Sequence, residues 1–163
     1  MEKKERSITR YRNEIRAGLI ALGVPNVLTG GWALLAPRGW YGTFPGLGRH
    51  WVSALGLYDE HLVRDFGATL LALGLLLVVA AIVLDRLLIQ ATLGASLVFS
   101  VPHFVFHIAN KDQLATGDYI VNNVLLGLGL ALSVILLVVV SRPREVGVAQ
   151  RAPIEGGIGY GTR

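Results

Sequence analysis

Four stretches of the chain, 17–36, 66–84, 87–109 and 119–140, are almost wholly apolar, and the charged positions are crowded between them. Each runs for about 19 to 23 residues without Asp, Glu, Lys or Arg, which matches the ~20 helical residues needed to cross a hydrocarbon core of about 30 Å. No water is available there to satisfy backbone N–H and C=O groups, so such segments must be helical. The pattern predicts an all-α, integral membrane four-helix bundle. Around it lie a basic arm over 1–16, one long connection over 37–61 and a tail over 142–163. The tail's glycine, proline and arginine content marks it as disordered. In the arm, Ile8, Tyr11 and Ile15 suit the apolar side of a short surface helix, with a solvated arm as the alternative. The first apolar stretch is too long for a secretory core and lacks a small-x-small cleavage pattern, so it reads as a retained span.

Polar residues inside the spans are few and ordered. In the third, Thr92, Ser96, Ser100, His103, His107 and Asn110 recur at spacings of about four and three, which places them on one stripe of a helix. Such a stripe faces protein or a water-filled cavity rather than lipid. The fourth carries a weaker counterpart in Asp118, Asn122, Gly129 and Ser133. The second is entered through Glu60-His61-Leu62-Val63-Arg64-Asp65, with Glu60/Arg64 and His61/Asp65 paired at i,i+4, and Ala68 and Ala72 continuing along one face. The Asp85-Arg86 turn is so short that spans two and three must be antiparallel neighbours. In the long connection, glycine and proline break regular structure. Its Trp40, Tyr41, Phe44 and Trp51 suit a loop in the headgroup region.

Basic residues orient this arrangement. Of the 15 Lys and Arg residues, 11 fall in the arm, the 85–86 turn and the tail, and only Arg38, Arg49, Arg64 and Lys111 fall on the other side. The positive-inside rule then places both termini in the cytoplasm of a multi-pass plasma-membrane protein. His50, His61, His103 and His107 all fall toward the outer side. There Glu60, His61, Arg64, Asp65, His103, His107, Asn110, Asp118 and Asn122 are expected to line an outward polar pocket, roofed by the Trp- and Gly-rich connection.

Composition narrows the function classes. Mean hydropathy is +0.55 and 16% of residues are charged, well below the ~25% of soluble proteins. The net charge of +4 sits mostly beside the spans, where topology and anionic lipid account for it. No nucleic-acid motif is present. With no cysteine in the chain, thiol catalysis and thiolate ligation are excluded.

His103-x-x-x-His107 is the sharpest chemical signal. Histidines at i,i+4 bind one metal when one or two further ligands join them, and His61, Asp65 or Glu60 would serve. A divalent metal or a haem are the cofactors this set admits. A haem would take His61 with His103 or His107, because axial ligands approach opposite faces. The competing reading is a structural cluster in which the rings hydrogen-bond neighbouring helices. Arg64 suits either a structural pairing or an anion. Gly18, Gly23, Gly67, Gly74, Gly94, Gly127 and Gly129 read as close-packing positions.

The Glu60–Asp65 entry, together with Pro102-His103-x-x-x-His107-x-x-Asn110, resembles a group of small four-helix actinobacterial membrane proteins of uncharacterised function, loosely similar to DoxX-like proteins. The resemblance covers the four spans and not the tail. It implies the same architecture and hints at quinones or a respiratory chain by fold analogy. Two functional classes follow. One is an accessory subunit or small-ligand binder, in a larger membrane complex or a homo-oligomer; the small-residue patches Ala91/Ala95 and Gly127/Ala131 permit oligomerisation and equally permit packing within one chain. The other is a metal- or haem-dependent redox enzyme or quinone-handling protein using the histidines.

Overall fold

The computed structural model describes residues 11–142. The expected disordered tail, from 143 onward, and the arm before Tyr11 lie outside the described residues. The elements are α1 (Arg12–Leu35), α2 (Pro37–Thr43), α3 (Glu60–Val83), α4 (Arg86–Ala109) and α5 (Thr116–Ser141), with a single 3-10 turn at Lys111–Gln113. The described residues are all-helical or turn, without a strand. The four longer helices are each long and apolar enough to cross a membrane. They run up and down alternately, so that one end of the bundle carries Arg12 and Ser141, here the terminal end, and the other carries the long connection.

The spans begin where tertiary contacts, rather than apolarity alone, place them. α1 starts at Arg12, ahead of its apolar run, because Ile15 is buried in the core and Arg16 donates Nε–H to the Ala81 carbonyl at 3.1 Å. Residues 12–16 therefore continue a span instead of lying on the surface. α3 starts at Glu60 because the Asp59 carboxylate accepts from the Leu62 amide at 3.1 Å. In the same way Asp85 accepts from Leu88 at 2.8 Å and starts α4. Each cap satisfies an amide that the first helical turn leaves free.

α3 and α4 are antiparallel neighbours, as their short turn requires, yet the closest pair is α1 with α3. A Cβ on Gly30 would lie 2.4 Å from the Leu71 nitrogen, one on Gly67 2.6 Å from the Leu34 nitrogen, and one on Gly74 2.7 Å from the Val27 nitrogen. Glycines two turns apart on each helix thus bring the two backbones into contact. Ala68 and Ala72, expected to continue a face of α3, are exposed; Gly67 and Gly74 form its packed face. Gly94 has nothing within 4 Å and has no close-packing role here.

Arginines bind the helix C-termini, whose last carbonyls have no partner within the helix. Arg64 donates Nη1–H to Leu34 at the end of α1 (2.6 Å), Arg16 serves α3, and Arg86 donates to Ser141 at the end of α5 (2.9 Å). A cation also complements the negative end of the helix dipole.

Two clusters fill the bundle. The core at the terminal end is dense and apolar, built around Ile15, Leu19, Leu77, Ile89 and Leu93. A smaller one at the other end joins Ala33, Trp40 and Val63 to Phe44 and Phe66. The connection, expected to be irregular throughout, is so only after residue 43. Pro37 occupies the first helical position, where its fixed φ and missing N–H are compatible with a helix, and α2 follows. Trp40 and Trp51 are only 5% and 6% exposed, so they pack into the protein. Between residues 44 and 59 the chain folds back through Gly46 and Gly48, both at positive φ, and the Trp51 amide bonds the Phe44 carbonyl at 2.9 Å.

Candidate ligand cavity

The α1–α3 pair and the α4–α5 pair do not close on each other along their whole length. Between them lies a cavity of about 810 Å³ bordered by all four long helices and by the connection. Trp51, Val52 and Leu55 cover it from the connection. Toward the terminal end it stops at Leu22, Leu77 and Leu132, which belong to or pack against the apolar core.

The α4 stripe supplies one polar wall. Ser96, Ser100, His103 and His107 all border the cavity, and about 16 Å of helix separates the first from the last. Aromatic packing fixes His103: its ring stacks on Phe99 at 5.4 Å, lies 6.0 Å from Phe66 and meets His107 edge-on at 4.7 Å. His103 makes no hydrogen bond to the described residues. His107 is tied across to α5, with Asn122 Nδ2 3.0 Å from its Nδ1. With the amide oriented to donate, Nδ1 is the acceptor and the neutral ring carries its proton on Nε2. Spans two and three therefore meet near the stripe through Phe66 with Phe99 and His103, an aromatic contact rather than a polar one.

Among the described residues, four side-chain atoms of residues that border the cavity have no hydrogen-bond partner: Trp40 Nε1, Trp51 Nε1, Ser96 Oγ and Ser100 Oγ, each of them enclosed by its surroundings. Ser133, also on the wall, donates to the Gly129 carbonyl one turn back at 2.9 Å. Ser96 and Ser100 do not make the equivalent bond. A buried polar group left unpaired costs about 1–3 kcal/mol. No Asp, Glu, Lys or Arg is among the residues that border it.

The remaining expected site residues lie elsewhere. His61 is 88% exposed at the side chain and pairs with Asp65 at 3.3 Å; neither borders the cavity. Glu60 receives two bonds from Arg64, at 3.1 and 2.9 Å, and Arg64 is otherwise committed to Leu34. Its role is thus the structural pairing, and these two groups border a smaller recess with Arg38. Asn110 bonds the Phe106 carbonyl at 2.8 Å and ends α4. Asp118 forms an ion pair with Arg49, tethering the connection to the start of α5. The expected metal set of His61, Asp65, His103 and His107 is therefore divided. Among the described residues no group of three or more His, Asp or Glu side chains is placed to hold a metal ion.

Asn26 and Thr29 of α1 also border the cavity, and neither was among the expected site residues. Their i,i+3 spacing inside an otherwise apolar run is the signal that marks them. Arg49 and the two indoles had no comparable signal, because a loop cation and interfacial aromatics are ordinary at a membrane surface.

Among the described residues, fold and cavity together define an all-helical bundle of four helices long and apolar enough to cross a membrane, with a cavity between them. No family model matches the chain, and neither a curated protein nor a solved structure matches it.

Proposed function

We propose that the protein is a small-ligand binder of the plasma membrane, with both termini cytoplasmic and the cavity reached from the outer leaflet, acting as an accessory component rather than a conduit. The observation that carries this reading is one largely apolar cavity of about 810 Å³ with one polar wall, the Ser96, Ser100, His103 and His107 stripe of α4. Its volume falls within the ~300–1,000 Å³ typical of small-molecule sites. The dense core around Leu19, Leu77 and Leu93 speaks against passage through the bundle. A quinone-handling role is the second reading. It is favoured by the stacked Phe99 and His103 rings, which offer a flat surface to a planar ring, and it would use the same cavity.

The test is extraction of the protein purified in mild detergent. An equimolar small molecule is expected in the organic extract of the wild type, and a much reduced amount from Ser100→Leu, which fills the cavity with a side chain that membrane helices accept. Identical extracts from two equally stable proteins would overturn the proposal.

A further inference from the structure

Resting on the reading of the cavity as a ligand site, we infer that it is filled sideways from the bilayer, through a window between α1 and α5. Its ligand is then a lipophile dissolved among the lipid chains rather than a solute arriving from water.

Three of the four seams of the bundle are closed beside the cavity. α1 and α3 are in backbone contact at Gly30 and Gly67. Phe66 of α3 packs on Phe99 and His103 of α4, at 5.9 and 6.0 Å, and His107 of α4 is tied to Asn122 of α5. α1 and α5 meet nearer the terminal end. There a Cβ on Gly18 would lie 3.0 Å from Leu136 Cδ1, and one on Gly129 4.0 Å from Leu22 Cδ2.

At this fourth seam the cavity reaches the surface. One face of α1 packs Gly23, Val27 and Gly30 on α3, while another, with Ala21, Pro25, Asn26 and Thr29, borders the cavity. Ala21 and Pro25 are nonetheless exposed, as are Leu125 and Leu128 of α5, at 58% and 63%. All four border the cavity, so no further element covers it at their level. They lie roughly 14 to 24 Å from the terminal end by helical rise, the middle of helices 24 to 26 residues long. A hydrocarbon core of about 30 Å surrounds that level, so the window meets lipid chains and not water. Pro25 has no N–H to give the Ala21 carbonyl, which removes one bond of the α1 ladder at the window itself. Asn26 and Thr29 stand half-buried at its edge; polar groups at such depth face protein or a cavity rather than lipid.

The way in from water is obstructed. Trp51, Val52 and Leu55 cover the connection end. That cover is held on both sides: Trp40 packs on Phe66 at 5.2 Å, and Arg49, ion-paired with Asp118, lies over the Trp51 ring at 5.9 Å. Leu62 and Phe106, exposed residues that also border the cavity, lie at this end and define the competing entry.

The test blocks each entry in a protein that has already folded. Single cysteines are placed at Ala21 or Leu128 for the window, at Leu55 or Leu62 for the connection end, and at Ala72 as an exposed control that does not border the cavity. The chain has no cysteine of its own. A Trp32→Phe background leaves Trp40 and Trp51, both at the cavity, as the fluorophores. Each protein is reconstituted in phosphatidylcholine vesicles, labelled or not with benzyl methanethiosulfonate, and mixed with bromododecanol, a lipophile whose bromine quenches indoles. Window labels are expected to slow quenching at least tenfold, connection-end labels less than threefold and the Ala72→Cys label not at all, with a reductant restoring the rate. Slowing only by the connection-end labels, equal slowing at both places, or none anywhere would overturn the window and leave the binder reading intact. If bromododecanol never quenches but a molecule co-purifies, its partition between octanol and water decides: a lipophile supports the inference, and a water-soluble molecule overturns it. No quenching and no co-purifying molecule would defeat both.

Discussion

His107 and Asn122 illustrate how one buried pair combines architecture with chemistry. Their 3.0 Å contact joins α4 to α5 and orients the ring at the cavity wall. Removing one partner leaves the other unsatisfied in an apolar setting, whereas removing both does not. His107→Leu is expected to lower stability by about 1–2 kcal/mol, less if the amide finds a substitute, as buried bonds in membrane helices average only ~0.6 kcal/mol. His107→Gln should retain most of it, and His107→Leu with Asn122→Leu should recover part of the loss. A thermal-unfolding cycle in detergent measures this. Strictly additive losses would mean that the two side chains contribute separately. At this scale the stripe from Ser96 to His107 was readable from spacing alone, because a helix converts a repeat of three and four into a face. The indole donors were not readable, since burial of Trp40 and Trp51 depends on how residues 37–59 fold back over the bundle.

Among the elements, the helices were legible and their partners were not. A bilayer imposes length and apolarity on a span, and both are written locally in the sequence. What selects α1 for α3 is backbone approach at Gly23, Gly30, Gly67 and Gly74, and glycine is common in membrane helices whether or not it packs. α2 was read as loop because proline and glycine punctuate it, although Pro37 at the first turn is compatible with a helix. The glycine contact gives a discriminating prediction. In Gly30→Ala the new methyl would meet the Leu71 backbone at 2.4 Å, while in Gly31→Ala nothing lies within 4 Å. Overpacking of this kind costs about 1–3 kcal/mol, so Gly30→Ala should lose yield and melt lower, with Gly31→Ala at wild-type level. Equal behaviour of the two variants would show that α1 and α3 are not in backbone contact.

At the level of the whole molecule, orientation decides which side of the membrane the cavity serves. The proposed orientation has the termini and the apolar core on the cytoplasmic side, with Trp51 and the Arg49–Asp118 tether outside. Among the described residues Arg12, Arg16, Arg86 and Arg142 fall at the terminal end. At the other end Arg49 and Arg64 are held in ion pairs, which eases transfer of that side across a bilayer. Arg16 and Arg86 also bond helix ends, so part of the basic bias has a packing cause, and the orientation needs its own measurement. The chain has no cysteine, which makes single-thiol labelling clean. Leu57 is fully exposed in the long connection, at 99%, and Thr162 lies near the C-terminus. An impermeant maleimide applied to intact cells is expected to label Leu57→Cys and spare Thr162→Cys, with both labelled after lysis. Labelling of Thr162→Cys alone in intact cells would turn the bundle over. The cavity would then open to the cytoplasm, and the same site would draw its ligand from the inner leaflet.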